Sequence, residues 1–460
     1  MAPTTAPSNR SAGQRLKALK LQIQQRKALQ RQARLRTLVY AYVILLIIEG
    51  ALRKWLLPPL AGPLLLVRDP IAMAIIWFSW RQGLWYSSLW LRLWLPLTTL
   101  MIATGLLALL NDDSQPISIL LYGLRTSCLH LPLILLFPRI LNGSDVAHIG
   151  RVFLAIALPI ALLMVWQYRS PASDLVNATT VQGGSLLTAV AGKVRPPGPF
   201  SFNTGVAEYY AMLNGFLLAG FFNQTSKPLG LGIGLAATLI ASAVSGSRLM
   251  LAYTALVWLV GGAFLILLRP ERLNGRAIIS IATASLLALA VLVLNPFGAA
   301  VDEGRSTTNE RVEQANEFDG GVAVRGLRQF EINQNIWEKT PAFGRGLGMG
   351  TNFAGQRYTG EAGFLLDENE WPRVIQESGI VVGSLYILYR IGLCLSILLR
   401  SLQALRLGTL LPLGLTLAGI HLLLFGAITR PTTMGFAVVS LGLALTAAEE
   451  AFQAQRAPLA

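Results

Sequence analysis

The sequence predicts an all-α polytopic membrane protein of about twelve transmembrane helices, with one large extracytoplasmic loop between helices 9 and 10. Three observations carry this expectation. Of 460 residues, 53% are apolar and 13% are charged, where a soluble protein carries about a quarter charged. Mean hydropathy is +0.54, and the apolar residues come in blocks able to cross a bilayer at about 20 residues per helix. Basic residues also recur at alternate connections, as the positive-inside rule requires. A soluble enzyme, a disordered chain and a disulfide scaffold are excluded. Cys128 and Cys394 lie far apart inside apolar blocks, and His130, His148 and His421 show no metal-ligand spacing.

The first element is a basic tail, residues 1–36, with nine bases and no acid. Such a run beside a span is held by anionic lipid at about 1 kcal/mol per charge. The net charge of +15 therefore points to membrane lipids as partners of the tail, and not to nucleic acid. Leu16, Leu19 and Ile23 fall at helical spacing, which predicts a helix lying on the membrane surface. The basic region is too long for a cleaved signal peptide and no small-x-small site follows, so the tail is expected to stay in the cytoplasm.

Nine spans are expected within 37–295, at roughly 37–57, 63–80, 93–110, 117–137, 149–167, 203–222, 227–244, 249–268 and 277–295. Three more, at roughly 376–399, 408–426 and 431–448, fall within 375–448. With the tail inside, the inner connections carry Arg81, Arg92, Arg139, Lys227, the Arg269/Arg272/Arg276 cluster, Arg400 and Arg406. The outer connection at 111–116 holds Asp112 and Asp113 with no base. Both termini, including a second tail at 449–460, then lie in the cytoplasm, and the chain belongs in the inner membrane. Two outer segments are long: 168–202, rich in Thr, Val, Gly and Pro, and 296–374, with twelve acids, eight bases and a Gly-rich centre from Gly344 to Gly350. A loop of that length is uncommon unless functional, so 296–374 is expected to be a small subdomain with short helices around Val324–Trp337.

Several bases break the positive-inside rule. Arg53, Lys54 and Arg68 flank the first outer turn, Lys193 and Arg195 lie in the first long loop, and Arg248 and Arg430 sit at later outer turns. A guanidinium there is paired, snorkels or awaits an anion. Glu49 and Arg53 are spaced to pair, and Arg68 adjoins Asp69, but Arg195, Arg248 and Arg430 have no acid within four residues. Interfacial anchoring is the plain alternative for any one of them. As a set, guanidinium groups on the outer rim suit a diphosphate, whose oxygens accept bidentate hydrogen bonds. A diphosphate attached to a lipid reaches this depth from the bilayer. Arg125, His130, Glu208 and His421 are further polar groups within apolar helices, open to functional or packing roles.

Four stretches then look like one family. Arg195-Pro-Pro-Gly-Pro-Phe-Ser-Phe-Asn203, Ser245-Gly-Ser-Arg248, Trp337 to Gly348 (WEKTPAFGRGLG) and Glu368-Asn-Glu-Trp-Pro-Arg-Val-Ile-Gln-Glu-Ser-Gly379 occur in this order. The chain resembles the O-antigen ligase and O-antigen polymerase superfamily, membrane glycosyltransferases of the GT-C type. Glu49-Gly-Ala-Leu-Arg-Lys-Trp55 with Arg68-Asp-Pro70 is similar to a subgroup of polymerase-like members. In the last stretch Asn369, Trp371, Glu377 and Gly379 match the family pattern, while Glu368 stands where the family has a histidine. A carboxylate can replace that base if burial or like charge raises its pKa, and Asp367 and Glu370 flank it.

The resemblance implies a sugar chain carried on a polyprenyl diphosphate and an acceptor hydroxyl, from a glycan or lipid, that displaces the diphosphate. It implies Glu368, Arg248, Arg325 and Arg328 as catalytic residues, and Arg195, Arg430, Asn369, Glu377 and Arg68 as substrate-binding ones. A flippase and a chain-length regulator are the expected partner proteins. No Mg²⁺ cage or nucleotide-sugar motif is present in the sequence, so no metal or cofactor is expected. The rival expectation is a lipid-linked oligosaccharide flippase or another secondary transporter. Transporters usually have shorter loops, paired repeats and broken helices. Solvated-acid and helix-capping roles remain the plain alternatives for Glu368 and Arg248.

Overall fold

The computed structural model describes residues 12–111, 116–180, 194–223, 227–272, 275, 336, 340–360 and 363–456. All of the elements named among them are helices. The first, α1 (Ala12–Ala51), joins the described part of the basic tail and the first span in one helix of 40 residues. A separate surface helix was the expectation. No Gly or Pro occurs between Gln14 and Glu49, and the Ala, Leu, Gln, Lys and Arg that fill the tail are strong helix formers, so nothing ends the helix at the span.

A π turn at Leu52–Leu56 closes α1, and the chain returns through Pro58–Arg81, whose regular part is α2 (Asp69–Arg81). After α3 (Leu89–Asn111), α4 (Ile117–Leu129) and α5 (Pro132–Ile140) form one broken span bent by 42°. The last turn of α4, Arg125–Leu129, is π-helical, and Pro132 just beyond it has no N–H to continue the ladder. α6 (Gly143–Arg169) opens on a capping box between Asn142 and Asp145. α7 (Asn203–Asn223), α8 (Pro228–Ser245) and α9 (Arg248–Leu268) follow. Beyond them come the short α10 (Asn352–Thr359) and α11 (Glu370–Ser378), then α12 (Ile380–Arg406), α13 (Leu411–Phe425) and α14 (Pro431–Arg456).

Among the described residues, eight helices are long and apolar enough to cross a membrane, or nine if the broken pair counts as one span. The chain is thus an all-helical, multi-pass membrane protein. The expected spans at 203–222 and 408–426 fall on α7 and α13 without meeting the same test. α7 is diluted by Asn, Glu and Tyr, and α13 has 15 residues. The expected span at 277–295, the helices around Val324–Trp337 apart from Ile336, and Asp112 and Asp113 lie outside the described residues.

Burial sorts the helices into a core and a lipid-facing ring. The membrane window of α14 is 89% buried, whereas that of α9 is 17% buried. α7 is buried from Gly205 to Phe222 and meets α13 where a Cβ on Gly215 would stand 2.8 Å from the Gly414 carbonyl oxygen. Only glycine lets two helix backbones approach so closely. Tyr209 and Tyr210 of α7 donate to the Phe153 and Ala157 carbonyls of α6 at 2.5 and 2.8 Å, which satisfies polar groups that lipid could not. Among the described residues the spans alternate in direction from α1 to α9 and again from α12 to α14. One end of the bundle, here the tail end, carries Arg81, Arg139 and Arg400, and the far end carries Arg53, Arg68, Glu368 and Arg430.

Candidate functional site

Three polar clusters meet at the far end. The first joins α1, α2 and α4. Asp69 accepts from Arg125 Nε at 2.5 Å and lies 3.1 Å from His130 Nε2, whose Nδ1 faces the Tyr42 hydroxyl at 3.1 Å. Arg125 and His130 are five residues apart, which on an α-helix sets them about 140° apart. The wider π turn between them brings both onto Asp69. Arg68 donates to Glu49 at 2.9 Å and to the Pro431 carbonyl at 2.7 Å. Arg53 donates to the Ala61 carbonyl at 2.7 Å and Ser201 Oγ at 3.0 Å, and stands 3.6 Å from Glu49. Lys54 donates to the Gly198 carbonyl at 2.6 Å, beside Gln167, whose side-chain amide donates to that carbonyl and accepts from the Gly198 N–H.

The expected Glu49–Arg53 pair forms, while Arg68 and Asp69 turn to different partners. Neighbours on a helix do not face each other, so Arg68 reaches back to Glu49 and Asp69 reaches across to α4. The cluster sets four basic side chains, Arg53, Lys54, Arg68 and Arg125, against the carboxylates of Glu49 and Asp69. That excess of basic groups acts in a low-dielectric environment, where charge is felt strongly.

The second cluster is a clamp built by α11. Glu370, Arg373 and Glu377 recur at i, i+3 and i+7, one face of a helix. Arg373 bonds Glu370 at 2.8 Å and Glu377 at 2.6 Å, and Arg390 of α12 bonds Glu370 at 2.6 Å. All four side chains are buried, and their formal charges balance. Arg390 also donates to the Leu423 carbonyl, and Trp371 Nε1 donates to that of Leu424 at 2.7 Å, which fixes α11 on the end of α13. Burial pushes the Glu377 carboxyl above its ordinary range, opposed by Arg373 and by the Gly350 N–H. Burial likewise works against the charge on Arg373, but the carboxylates beside it win, and its guanidinium is held above its ordinary range.

The glycine run of the loop is seated on this clamp. Gly350 N–H donates to Glu377 Oε1 at 2.8 Å, and the backbones of Arg345 and Gly346 donate to the Gln376 and Glu377 carbonyls at 2.7 and 3.1 Å. Gly344 has φ +78°, and a Cβ there would meet the Glu377 carbonyl oxygen at 2.3 Å. Both constraints require glycine.

The third cluster spans α7, α9, α13 and α14. Thr433 donates to Glu208 Oε1 at 2.5 Å, while Glu208 Oε2 is buried with no hydrogen-bond partner among the described residues. Arg430 lies within electrostatic reach of Glu208 and Tyr253. The Tyr253 ring packs on His421 with centroids 3.8 Å apart, and His421 Nε2 is likewise buried without a partner among the described residues. On the rim, Arg430 Nη2 stands 3.9 Å from Glu368 Oε1 and its guanidinium lies over Phe202 at 5.4 Å. The Glu368 side chain is 73% exposed, so a molecule arriving from water can reach it.

The structure thus brings Glu368 and Arg430 together. It seats Glu377 beneath the glycine run and places Asn369 at the N-cap of α11, its N–H donating to Asp367 at 2.7 Å. Arg68 is a buried strut between α1, α2 and α14, with its donors committed to Glu49 and Pro431. Arg248 opens α9 after the left-handed Gly246, about 7.5 Å along the helix from Tyr253 at 1.5 Å per residue. Arg195 is half-buried and its Nε has no hydrogen-bond partner among the described residues. Arg325 and Arg328 lie outside the described residues. Of the two acids expected to crowd Glu368, Glu370 is turned inward into the clamp. The charge found beside Glu368 is that of Arg430. Sequence reading missed the clamp itself, although the spacing of Glu370, Arg373 and Glu377 signals it. Tyr253 and Thr433 carry no comparable signal.

Among the described residues no group of three or more His, Cys, Asp or Glu side chains could hold a metal ion. Compared with known proteins, the chain matches no family model and no curated protein sequence.

Proposed function

We propose that this chain is a membrane glycosyltransferase of the O-antigen polymerase or ligase type. It polymerises or ligates polyprenyl-diphosphate-linked oligosaccharides at the outer face of the cytoplasmic membrane, in surface or exopolysaccharide biosynthesis. The observation that carries the reading is the exposed Glu368 standing 3.9 Å from Arg430, on a rim backed by the Glu208–Thr433 pair. Next to it, basic groups outnumber acids in the cluster around Asp69. The far end is taken as extracytoplasmic and both termini as cytoplasmic, which the basic tail supports.

In the reaction, the oxygen of an acceptor hydroxyl bonds to the anomeric carbon as the bond from that carbon to the diphosphate oxygen breaks. The diphosphate leaves with the electron pair, and the hydroxyl proton passes to the Glu368 carboxylate. Arg430, Arg248 and Arg195 balance the charge that builds on the leaving group, joined in this reading by Arg325 and Arg328. Asn369 and Glu377 hold the loop that presents Glu368.

A second reading, a lipid-linked oligosaccharide flippase or other secondary transporter, draws support from the broken span α4–α5, where Arg125 and His130 meet Asp69 inside the membrane region. Discontinuous helices and intramembrane ionisable groups mark transport paths. Purified protein in liposomes bearing a lipid-linked glycan separates the two. Extension or transfer of the glycan is the expected result. Movement across the bilayer with no bond change would establish the transporter and overturn the enzyme.

A further inference from the structure

At the tail end, a cavity of about 380 Å³ opens between α1 and α2, lined by Arg31, Arg34, Phe78, Arg81 and Gln82. Arg31 and Arg34 are three apart and share one face of α1, and Arg81 closes the last turn of α2 opposite them. Among the described residues no acid lines the cavity. Elsewhere in the chain Arg36 faces Asp145 at 3.1 Å, Arg269 faces Glu271 at 2.9 Å and Arg400 faces Glu449 at 2.5 Å. Three guanidinium groups facing one hollow favour an anion between them.

The depth of the cavity says which anion. Trp77, Phe78 and Trp80 on this end of α2, with Tyr86 just beyond, are all exposed, as is Met73 further along the helix toward the far end. Exposed Trp and Tyr mark the level of lipid headgroups. The Arg81 guanidinium itself lies over the Trp77 ring at 5.0 Å. From the cavity, the apolar face of Phe78, Met73 and Trp77 continues toward the bilayer core, where acyl chains would run.

We infer that the cavity between α1 and α2 binds the phosphate headgroup of an anionic phospholipid, held by Arg31, Arg34 and Arg81. The site needs no glycan and no activity at the far end, so it stands independently of the proposed function. It gives the basic tail a stoichiometric lipid partner where a diffuse attraction was expected.

The test is native mass spectrometry of the full chain in detergent, loaded with an equimolar mixture of phosphatidylglycerol and phosphatidylcholine. The expected result is preferential retention of one phosphatidylglycerol, with about a fivefold loss of that preference for each of Arg31→Gln, Arg34→Gln and Arg81→Gln. Arg400→Gln, in the separate tail-end cavity that contains Glu449, is expected to leave the preference unchanged, and excess inorganic phosphate is expected not to displace the lipid. Equal retention of the two lipids, or an unchanged preference in the triple Gln variant, would overturn the inference. Displacement by inorganic phosphate alone would overturn it in favour of a soluble anion.

Discussion

Replacing Glu370 with Gln asks whether charge holds the far-end loop in place. Glu370 Oε1 accepts from Arg373 at 2.8 Å and Arg390 at 2.6 Å, and its Oε2 stands 3.3 Å from Arg373 Nε. All three side chains are at most 2% exposed. Gln keeps the shape and one acceptor, but it turns an NH₂ group toward a guanidinium and leaves Glu377 alone against two buried cations. Removing one partner of a buried ion pair costs about 3–5 kcal/mol, against about 1.5–3 kcal/mol for a single charge-assisted hydrogen bond. The larger figure applies because a charge is stranded as well as a bond lost. Unfolding in mild detergent, followed by tryptophan fluorescence with Trp371 in the same helix, measures it. Arg390→Met relieves one of the stranded cations, so the double variant Glu370→Gln/Arg390→Met is expected to lose less than the sum of the singles, by about 1–3 kcal/mol. A loss below about 0.5 kcal/mol for Glu370→Gln, the range of an ordinary surface change, or strict additivity in the pair, would refute the reasoning.

Further outcomes follow from the other contacts. Gly350→Val is expected to destabilise by about 1–3 kcal/mol, as overpacking does, because a Cβ there would lie 2.4 Å from Arg373 Cγ; an unchanged unfolding midpoint would contradict the seating of the glycine run. Thr433→Val removes the one hydrogen bond that the Glu208 carboxylate accepts among the described residues and is expected to cost about 1–3 kcal/mol, read from the same unfolding curves. Lys54→Met replaces a buried amino group, bonded to the Gly198 carbonyl, with an apolar side chain of similar length. Stability is expected to hold or rise, as when buried charges give way to packed apolar groups, while glycan transfer falls if its charge contributes to the far-end field; transfer at the wild-type rate would remove Lys54 from that field.

Much of the fold is legible in the sequence because a bilayer forces apolar helices to announce themselves by length. α3, α6, α12 and α14 lie where the hydropathy puts them. Less legible is the way helices depart from ideal geometry. Nothing in Arg125 to His130 signals a π turn, yet that turn decides that both side chains reach Asp69. Arg53, Lys54, Arg68 and Arg430, singled out by their positions along the chain, fall together at the far end of the bundle. Their roles depend on chain segments distant in sequence, such as the Pro431 carbonyl that fixes Arg68 and the Gly198 carbonyl that fixes Lys54. Glu368 was legible as a candidate from its motif position, but its neighbour Arg430 is 62 positions away and only the fold joins them.

Retention of a polyprenyl diphosphate by the purified protein, set against the matching monophosphate, bears most directly on the claim that far-end cations bind a lipid-linked diphosphate. Wild type should prefer the diphosphate, and Arg430→Gln should weaken that preference by roughly tenfold, the equivalent of about 1.4 kcal/mol, while Glu368→Gln keeps it but stops transfer. Equal retention of both lipids by wild type, or an undiminished preference in Arg430→Gln, would contradict that claim.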